Sequence, residues 1–203
     1  MTAISIIGSG NMAAAIGTRA VQHGHTIELL GRDPAKAQAL ADQIGEGASV
    51  GAFGAVPTGE IVIVAVLYGG VVDAVESYGD ALAGKILVDI SNPFNADASG
   101  LVTPTSAAEE IAAVAPADAH VVKALNTIFG HVLAKGTPLD AFIAGDSSEA
   151  KTKVAAFLDS LDLRSLDAGG LQAAQILESA GLLLMGLARN GAGFDLALAA
   201  EVH

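Results

Sequence analysis

Gly8-Ser9-Gly10-Asn11-Met12-Ala13 has the spacing G-x-G-x-x-A. In such a turn the first glycine permits a tight reversal and the second lets a pyrophosphate approach the backbone. A helix opening near Asn11 would aim free N–H groups and its positive end at the anion. Ala13, and Gly17 one turn later, would let that helix lie close to a sheet. The bland alternative is a strand–turn–helix corner whose glycines serve geometry alone.

The residues about 20 positions further on decide which dinucleotide fits. Two readings compete. Glu28 has the count expected of an acid on a ribose 2′-hydroxyl, but it falls inside a strand-like run, short of its end. Gly31 stands at that end, followed at once by Arg32, with Lys36 in the first turn of the next helix. A glycine there leaves room for a phosphate that Arg32 can bind bidentately, with Lys36 as a second charge. The second reading, a 2′-phosphate and hence NADP(H), is the expectation.

These residues need a frame. Strand-length apolar runs fall at 3–7, 26–30, 50–53, 61–66, 86–90, 120–124, 141–144 and, at a sheet edge, 164–166. Helical stretches fall at 11–23, 34–44, 71–82, 106–114, 148–160 and 171–189, the last apolar nearly all round. Asp33 before Pro34 is a good N-cap and first-turn pair. The alternation predicts an α/β fold of Rossmann type, with a doubly wound, mainly parallel sheet and right-handed crossovers. Residues 1–168 are expected to form the dinucleotide-binding domain. Residues 169–203 would add a short helical segment for the acceptor side and a dimer contact.

Composition narrows the partners. Of 203 residues, 52% are hydrophobic and 16% charged, the opposite of a disordered chain. A net charge of −12 repels nucleic-acid phosphates, so a phosphate-bearing ligand must be held by local donors drawn from ten Lys and Arg. With no cysteine, disulfides and thiolate metal sites are excluded, and no metal is expected. No basic segment precedes the first strand-like run, and the apolar run at 180–188 is far shorter than a membrane span. The expected location is the cytoplasm, away from membranes.

In a doubly wound sheet the strand carboxyl ends line the ligand crevice. Val66-Leu67-Tyr68 ends one strand, and Tyr68 either shields the nicotinamide or adenine or is a core aromatic. Asn92 offers a donor and an acceptor to a carboxamide or ribose, and Pro93 fixes its turn; a purely structural turn is the alternative. Lys123-Ala124-Leu125-Asn126-Thr127 follows the sixth strand, so Lys123 and Asn126 would face the crevice. His131 lies eight residues beyond Lys123. A lone histidine is more often structural or solvated; a substrate-side role is the other reading.

Taken in order, Gly8-Ser9-Gly10-Asn11-Met12, Gly31-Arg32, Ser91-Asn92-Pro93 and Lys123-Ala124-Leu125-Asn126-Thr127 resemble the coenzyme F420-dependent NADP oxidoreductase family. They also resemble the related reductase domain of the STEAP metalloreductases. The run Leu171–Glu178 is similar to that family's closing helix. The resemblance implies a homodimer and hydride transfer between NADPH and a flat deazaflavin (F420) or flavin acceptor. It implies that Ser9, Asn11 and Met12 meet pyrophosphate or ribose, that Arg32 and Lys36 hold the 2′-phosphate, and that Asn92 and Pro93 sit near the nicotinamide. Lys123, Leu125, Asn126 and Thr127 would then form the acceptor side. The chain departs from the family at Gly31, where Ser or Thr is usual, at Leu125, where Phe is usual, and at Val66-Leu67-Tyr68, which lacks a Pro-containing turn.

Hydride transfer needs no protein nucleophile, only two rings held face to face with water excluded. No indispensable acid or base is therefore expected; Thr127, His131 and Lys123 are the candidates for a supporting donor. Three other readings stand beside this one. They are a STEAP-like flavin or ferric reductase, an imine or hydroxyacid reductase using Lys123 as proton donor, and a non-catalytic NADP(H) sensor.

Overall fold

The computed structural model describes residues 2–201. Eight strands form one sheet in the order β3-β2-β1-β4-β5-β6-β7-β8. They are β1 (Ala3–Ile7), β2 (Thr26–Leu30), β3 (Ala48–Val50), β4 (Ile61–Val64), β5 (Ile86–Asp89), β6 (His120–Lys123), β7 (Leu139–Gly145) and β8 (Leu163–Asp167). The first six run parallel in the doubly wound order 3-2-1-4-5-6. β7 reverses direction against β6, and β8 then runs parallel to β7.

The helices are α1 (Asn11–Gln22), α2 (Pro34–Ile44), α3 (Val71–Tyr78), α4 (Ala107–Val114), α5 (Gly130–Leu133), α6 (Ser148–Asp159) and α7 (Ala174–Leu187). On one face α1, α2 and α6 bury Ile16, Leu40 and Phe157 with Ile4, Ile6 and Ile63 of the sheet. On the other, α3, α4 and the start of α7 bury Val75, Ile111 and Ala174 with Ile7, Val62 and Leu87. Strands covered on both faces must be apolar throughout, as Ile61-Val62-Ile63-Val64 is.

Several boundaries differ from the sequence expectation for local reasons. β3 lies at 48–50 rather than 50–53, because Phe53 leaves the sheet to pack edge-on against Tyr78, 5.1 Å between ring centres. β4 stops at Val64, since Ala65 turns where its carbonyl meets Gly8. α3 ends at Gly79, whose φ of +46° suits a glycine. The closing segment is not one helix. A 3-10 turn (Leu171–Ala173) precedes α7, and a π turn (Ala188–Ala192) ends it where Gly191 takes φ +109°. Among the described residues this stretch, Leu171–Ala192, has the length and hydropathy to cross a membrane. Here it packs Leu177 and Leu184 into the fold while exposing Ile176, Leu183 and Leu187.

β6 and β7 share only two registered pairs, Val122 with Gly145 and Lys123 with Ala144. A second tie comes from α1. Arg19, 2% exposed, donates to the carbonyls of Leu161 (2.6 Å), Thr137 (3.0 Å), Leu133 (3.2 Å) and Asp162 (3.3 Å).

Candidate functional site

The phosphate turn is built by close backbone approach. Gly8 has φ +123°, and a Cβ there would overlap the Ala65 carbonyl of the neighbouring strand end. Gly10 differs: a Cβ on it would meet nothing within 4 Å, so open space lies over the helix start. No side chain caps α1 and no acid stands in its first turn. Its leading N–H groups and positive dipole end therefore face that space without a competing anion. Behind them, Ala13 is fully buried, and a Cβ at Gly17 would come within 2.8 Å of Ile44 Cδ1.

The end of β2 explains the competing residues. The Glu28 carboxylate accepts from Ser5 Oγ (2.6 Å), the Thr58 amide (2.8 Å) and Thr58 Oγ1 (3.0 Å). It holds the loop before β4 onto the sheet. Gly31 is a packing glycine as well, because a Cβ there would come within 2.9 Å of Ala37 Cβ on α2. This gives the glycine a packing reason at the end of β2. Ser9 Oγ lies 3.6 Å from the same point, so the phosphate turn and the β2 end are adjacent. Arg32 extends over the Phe53 ring, its guanidinium carbon 5.5 Å from the ring centre. Lys36 is 75% exposed, and its ammonium is 3.9 Å from Asp33, which caps α2 through the amides of Ala35 and Lys36. Phe53 as a platform for Arg32 was not foreseen; the sequence places it in a strand.

At the β4 end Leu67 is 87% exposed and Val66 partly so. Tyr68 donates through its hydroxyl to Glu110 Oε1 on α4 (3.1 Å). Partial burial, then the Glu110 carboxylate, pushes that hydroxyl above its ordinary range.

The other half of the crevice is interlocked. Asn92 donates to the Asn126 carbonyl (2.9 Å), and Asn126 donates to Asn92 Oδ1 (2.9 Å) and the Leu177 carbonyl (2.8 Å). Two backbone acceptors thus fix both amide orientations. Gly181 of α7 sits over the pair, where a Cβ would come within 2.9 Å of Asn92 Oδ1. Leu125 is buried at φ +58°, a left-handed conformation that a leucine holds only under constraint. Met12, Asn92, Phe94, Leu125, Gly181 and Met185 help line a cleft of about 180 Å³.

Lys123, expected on the acceptor side, lies instead beneath the cleft and wholly enclosed. Its ammonium donates to Ser91 O (2.5 Å), Asp89 Oδ2 (2.7 Å) and Glu178 Oε1 (2.7 Å). All three hydrogens are engaged, so it does not reach an acceptor. Asp89 and Glu178 are also fully buried. Burial pushes the Glu178 carboxyl up, against the opposing pull of Lys123. Sequence reasoning assigned neither acid a role, although a lone Glu in an apolar helix was a usable signal. Thr127 is buried and does not line the cleft. His131 Nε2 pairs with the Phe194 carbonyl (2.8 Å), and its ring stacks on Phe129 at 5.7 Å beside a second cavity of about 510 Å³ against α1. Among the described residues no group of three or more His, Cys, Asp or Glu could hold a metal ion.

A dinucleotide fits this arrangement at the open, uncapped start of α1, with Arg32 at one end and the cleft beside Met12 at the other. Comparison with known proteins agrees. Residues 3–93 match the model of the family described as NADP oxidoreductase, coenzyme F420-dependent. Metalloreductase STEAP3 of Rattus norvegicus is 34% identical over 186 residues, 90% of this chain; the chain spans 37% of that protein's length. A solved structure from Arthrobacter sp. FB24, assigned as an F420-dependent NADP-reductase, superposes with a TM-score of 0.83 at 26% identity. That match covers 98% of this chain and 100% of the other. An imine reductase from Aspergillus terreus shares the fold, with a TM-score of 0.73 at 24% identity over 96% of this chain and 64% of its own. Through residues 3–93 the chain thus resembles the coenzyme F420-dependent NADP oxidoreductase family, and over nearly its whole length it shares the fold of the Arthrobacter NADP-reductase.

Proposed function

We propose that this protein transfers a hydride between NADP(H) and a flat acceptor of the deazaflavin (F420) or flavin class. The observation that carries the reading is the position of Met12. It belongs to the uncapped first turn of α1 and also lines the cleft, so a dinucleotide on those amides has its other end at the cleft.

In this reading Gly8, Ser9, Gly10, Asn11 and Met12 hold the pyrophosphate, mainly through backbone N–H groups. Gly31 keeps α2 close, and Arg32 and Lys36 bind the 2′-phosphate. Val66, Leu67 and Tyr68 flank the bound cofactor from β4, and Asn92 and Pro93 from β5. Leu125 and the Asn92–Asn126 pair shape the wall on which the acceptor rests. NADPH supplies the hydride when bound. The chain contributes orientation and exclusion of water, with no obligatory acid or base. Residues 1–168 form the cofactor domain. Residues 169–203 close the cleft and, through the exposed Ile176, Leu183 and Leu187, pair two copies. The protein works in the cytoplasm.

Following NADPH oxidation spectroscopically with an F420-type deazaflavin, FMN, ferric chelates and a cyclic imine tests the reading. Turnover with the deazaflavin or FMN is expected. Preference for the imine would replace the acceptor class. Ferric reduction that requires added flavin would favour the STEAP-like variant. Tight NADPH binding without turnover on any acceptor would make the protein a sensor.

A further inference from the structure

Three fully buried ionisable groups meet where β5, β6, α4 and α7 converge: Asp89, Lys123 and Glu178. Fully ionised, they would enclose a net charge of −1, which an interior disfavours. The two acids are not equivalent. Asp89 uses both oxygens, Oδ1 accepting from the Ser91 amide (2.8 Å) and Oδ2 from Lys123. Glu178 receives Lys123 and the Ala107 amide (3.0 Å) on Oε1 alone. Its Oε2 is buried with no partner, so this is the oxygen that can carry a proton. Of the other titratable groups on these elements, Glu110 is paired with Tyr68, Glu109 is held by Ser106, and His120 stands exposed at the opposite end of β6 from Lys123. From β7, Phe142 and Ala144 pack against Leu177 of α7 in an apolar cluster. The Ser91 carbonyl that accepts from Lys123 directly precedes Asn92 in the cleft wall.

We propose that Glu178 is a buried proton-carrying residue that distinguishes the two redox forms of the cofactor. It is protonated when NADPH is bound and releases its proton to solvent when NADP+ is bound. This rests on the functional reading above. The nicotinamide ring carries a positive charge in NADP+ and none in NADPH, and a positive charge beside the cluster favours the ionised carboxylate. The raised proton affinity of Glu178 fits such a role. High pH then favours NADP+ and low pH favours NADPH. The 2′-phosphate titrates too, but it is common to both forms and cancels in their ratio.

The test measures Kd for NADP+ and for NADPH by calorimetry, in two buffers of different ionisation enthalpy, between about pH 6 and about pH 8.5. The ratio Kd(NADP+)/Kd(NADPH) should fall about tenfold across this range, a shift of about one pKa unit. At its maximum, NADP+ binding should release about half a proton more than NADPH binding. Glu178→Gln, which keeps the Oε1 contacts, should flatten the ratio and abolish the difference in proton release. A flat ratio with equal proton release in the unaltered protein overturns the proposal, whether or not the variant folds. So does an unchanged pH dependence in Glu178→Gln. Failure to bind either cofactor would instead remove the functional reading.

Discussion

The two ends of the crevice are built on opposite plans. The phosphate end is backbone and space: Gly8 at φ +123°, an open Gly10, an uncapped helix, and the exposed cations Arg32 and Lys36. The cleft end is side chains locked to one another: the Asn92–Asn126 pair, Leu125 held left-handed, and a charge cluster sealed from water. In the proposed function the first plan would hold phosphates whose charge does not change in the reaction, so loosely held cations would suffice. The second would surround the position where charge and bonding change. There, fixed dipoles and excluded water lower the barrier more than additional charge would.

The contrast can be broken most severely at Lys123. Lys123→Met leaves two enclosed carboxylates without their cation, and urea unfolding should show a loss of about 3–5 kcal/mol; a loss under about 1 kcal/mol would mean that the cluster is not what fastens α7. Next come the two glycines. Gly8→Ala forces a Cβ into the Ala65 carbonyl and should cost about 2–3 kcal/mol of stability, because backbone must move. Gly10→Ala meets no protein atom, so its unfolding midpoint should stay put while NADPH binding weakens about tenfold or more. Equal effects of the two on stability would refute the division of labour. Arg32→Ala should weaken NADPH by about 10–100-fold, corresponding to about 1.5–3 kcal/mol for a charge-assisted contact, and leave NADH nearly unchanged. Equal losses for both cofactors would place the 2′-phosphate elsewhere.

The smallest expected effect is on the pH dependence of stability. Glu178 has its carboxyl raised by burial, so its contribution is complete below the unfolded carboxylate value. That contribution is lost as pH rises through the raised native value. Glu178→Gln should therefore flatten the decline in stability as pH rises from the unfolded toward the raised native value, measured as denaturant midpoints. A steeper decline would reverse the assigned sign.

The same contrast governs what can be read from sequence. The phosphate end is local: a strand, a glycine turn and a helix within a few residues, and Arg32 one residue past β2. Periodicity and glycine spacing expose such features. The α/β alternation was legible for the same reason, since each strand–helix unit announces itself in turn. The cleft end is not local. Lys123 meets Asp89 and Glu178 across separations of 34 and 55 residues. Nothing in the sequence distinguishes a residue facing the crevice from one sealed beneath it. Gly31 shows a milder form of the problem. It was read as room for a phosphate, and the structure adds a packing reason, Ala37, that no spacing rule reveals.

Arg19 has a consequence for how the molecule comes apart. The β7–α6–β8 unit meets the main sheet through a two-pair ladder and through α6, whose Phe157 shares the core with Ile4, Ile6 and Ile63. A single guanidinium bridges the gap, binding four carbonyls that flank this unit from the helix that opens the phosphate turn. Arg19 thus adds a polar tie between the two parts of the chain to the apolar core they already share. With Arg19 intact one unfolding transition is expected; with Arg19→Met the terminal unit should loosen first, read as a broadened or split transition and protease-sensitive sites beyond Thr137.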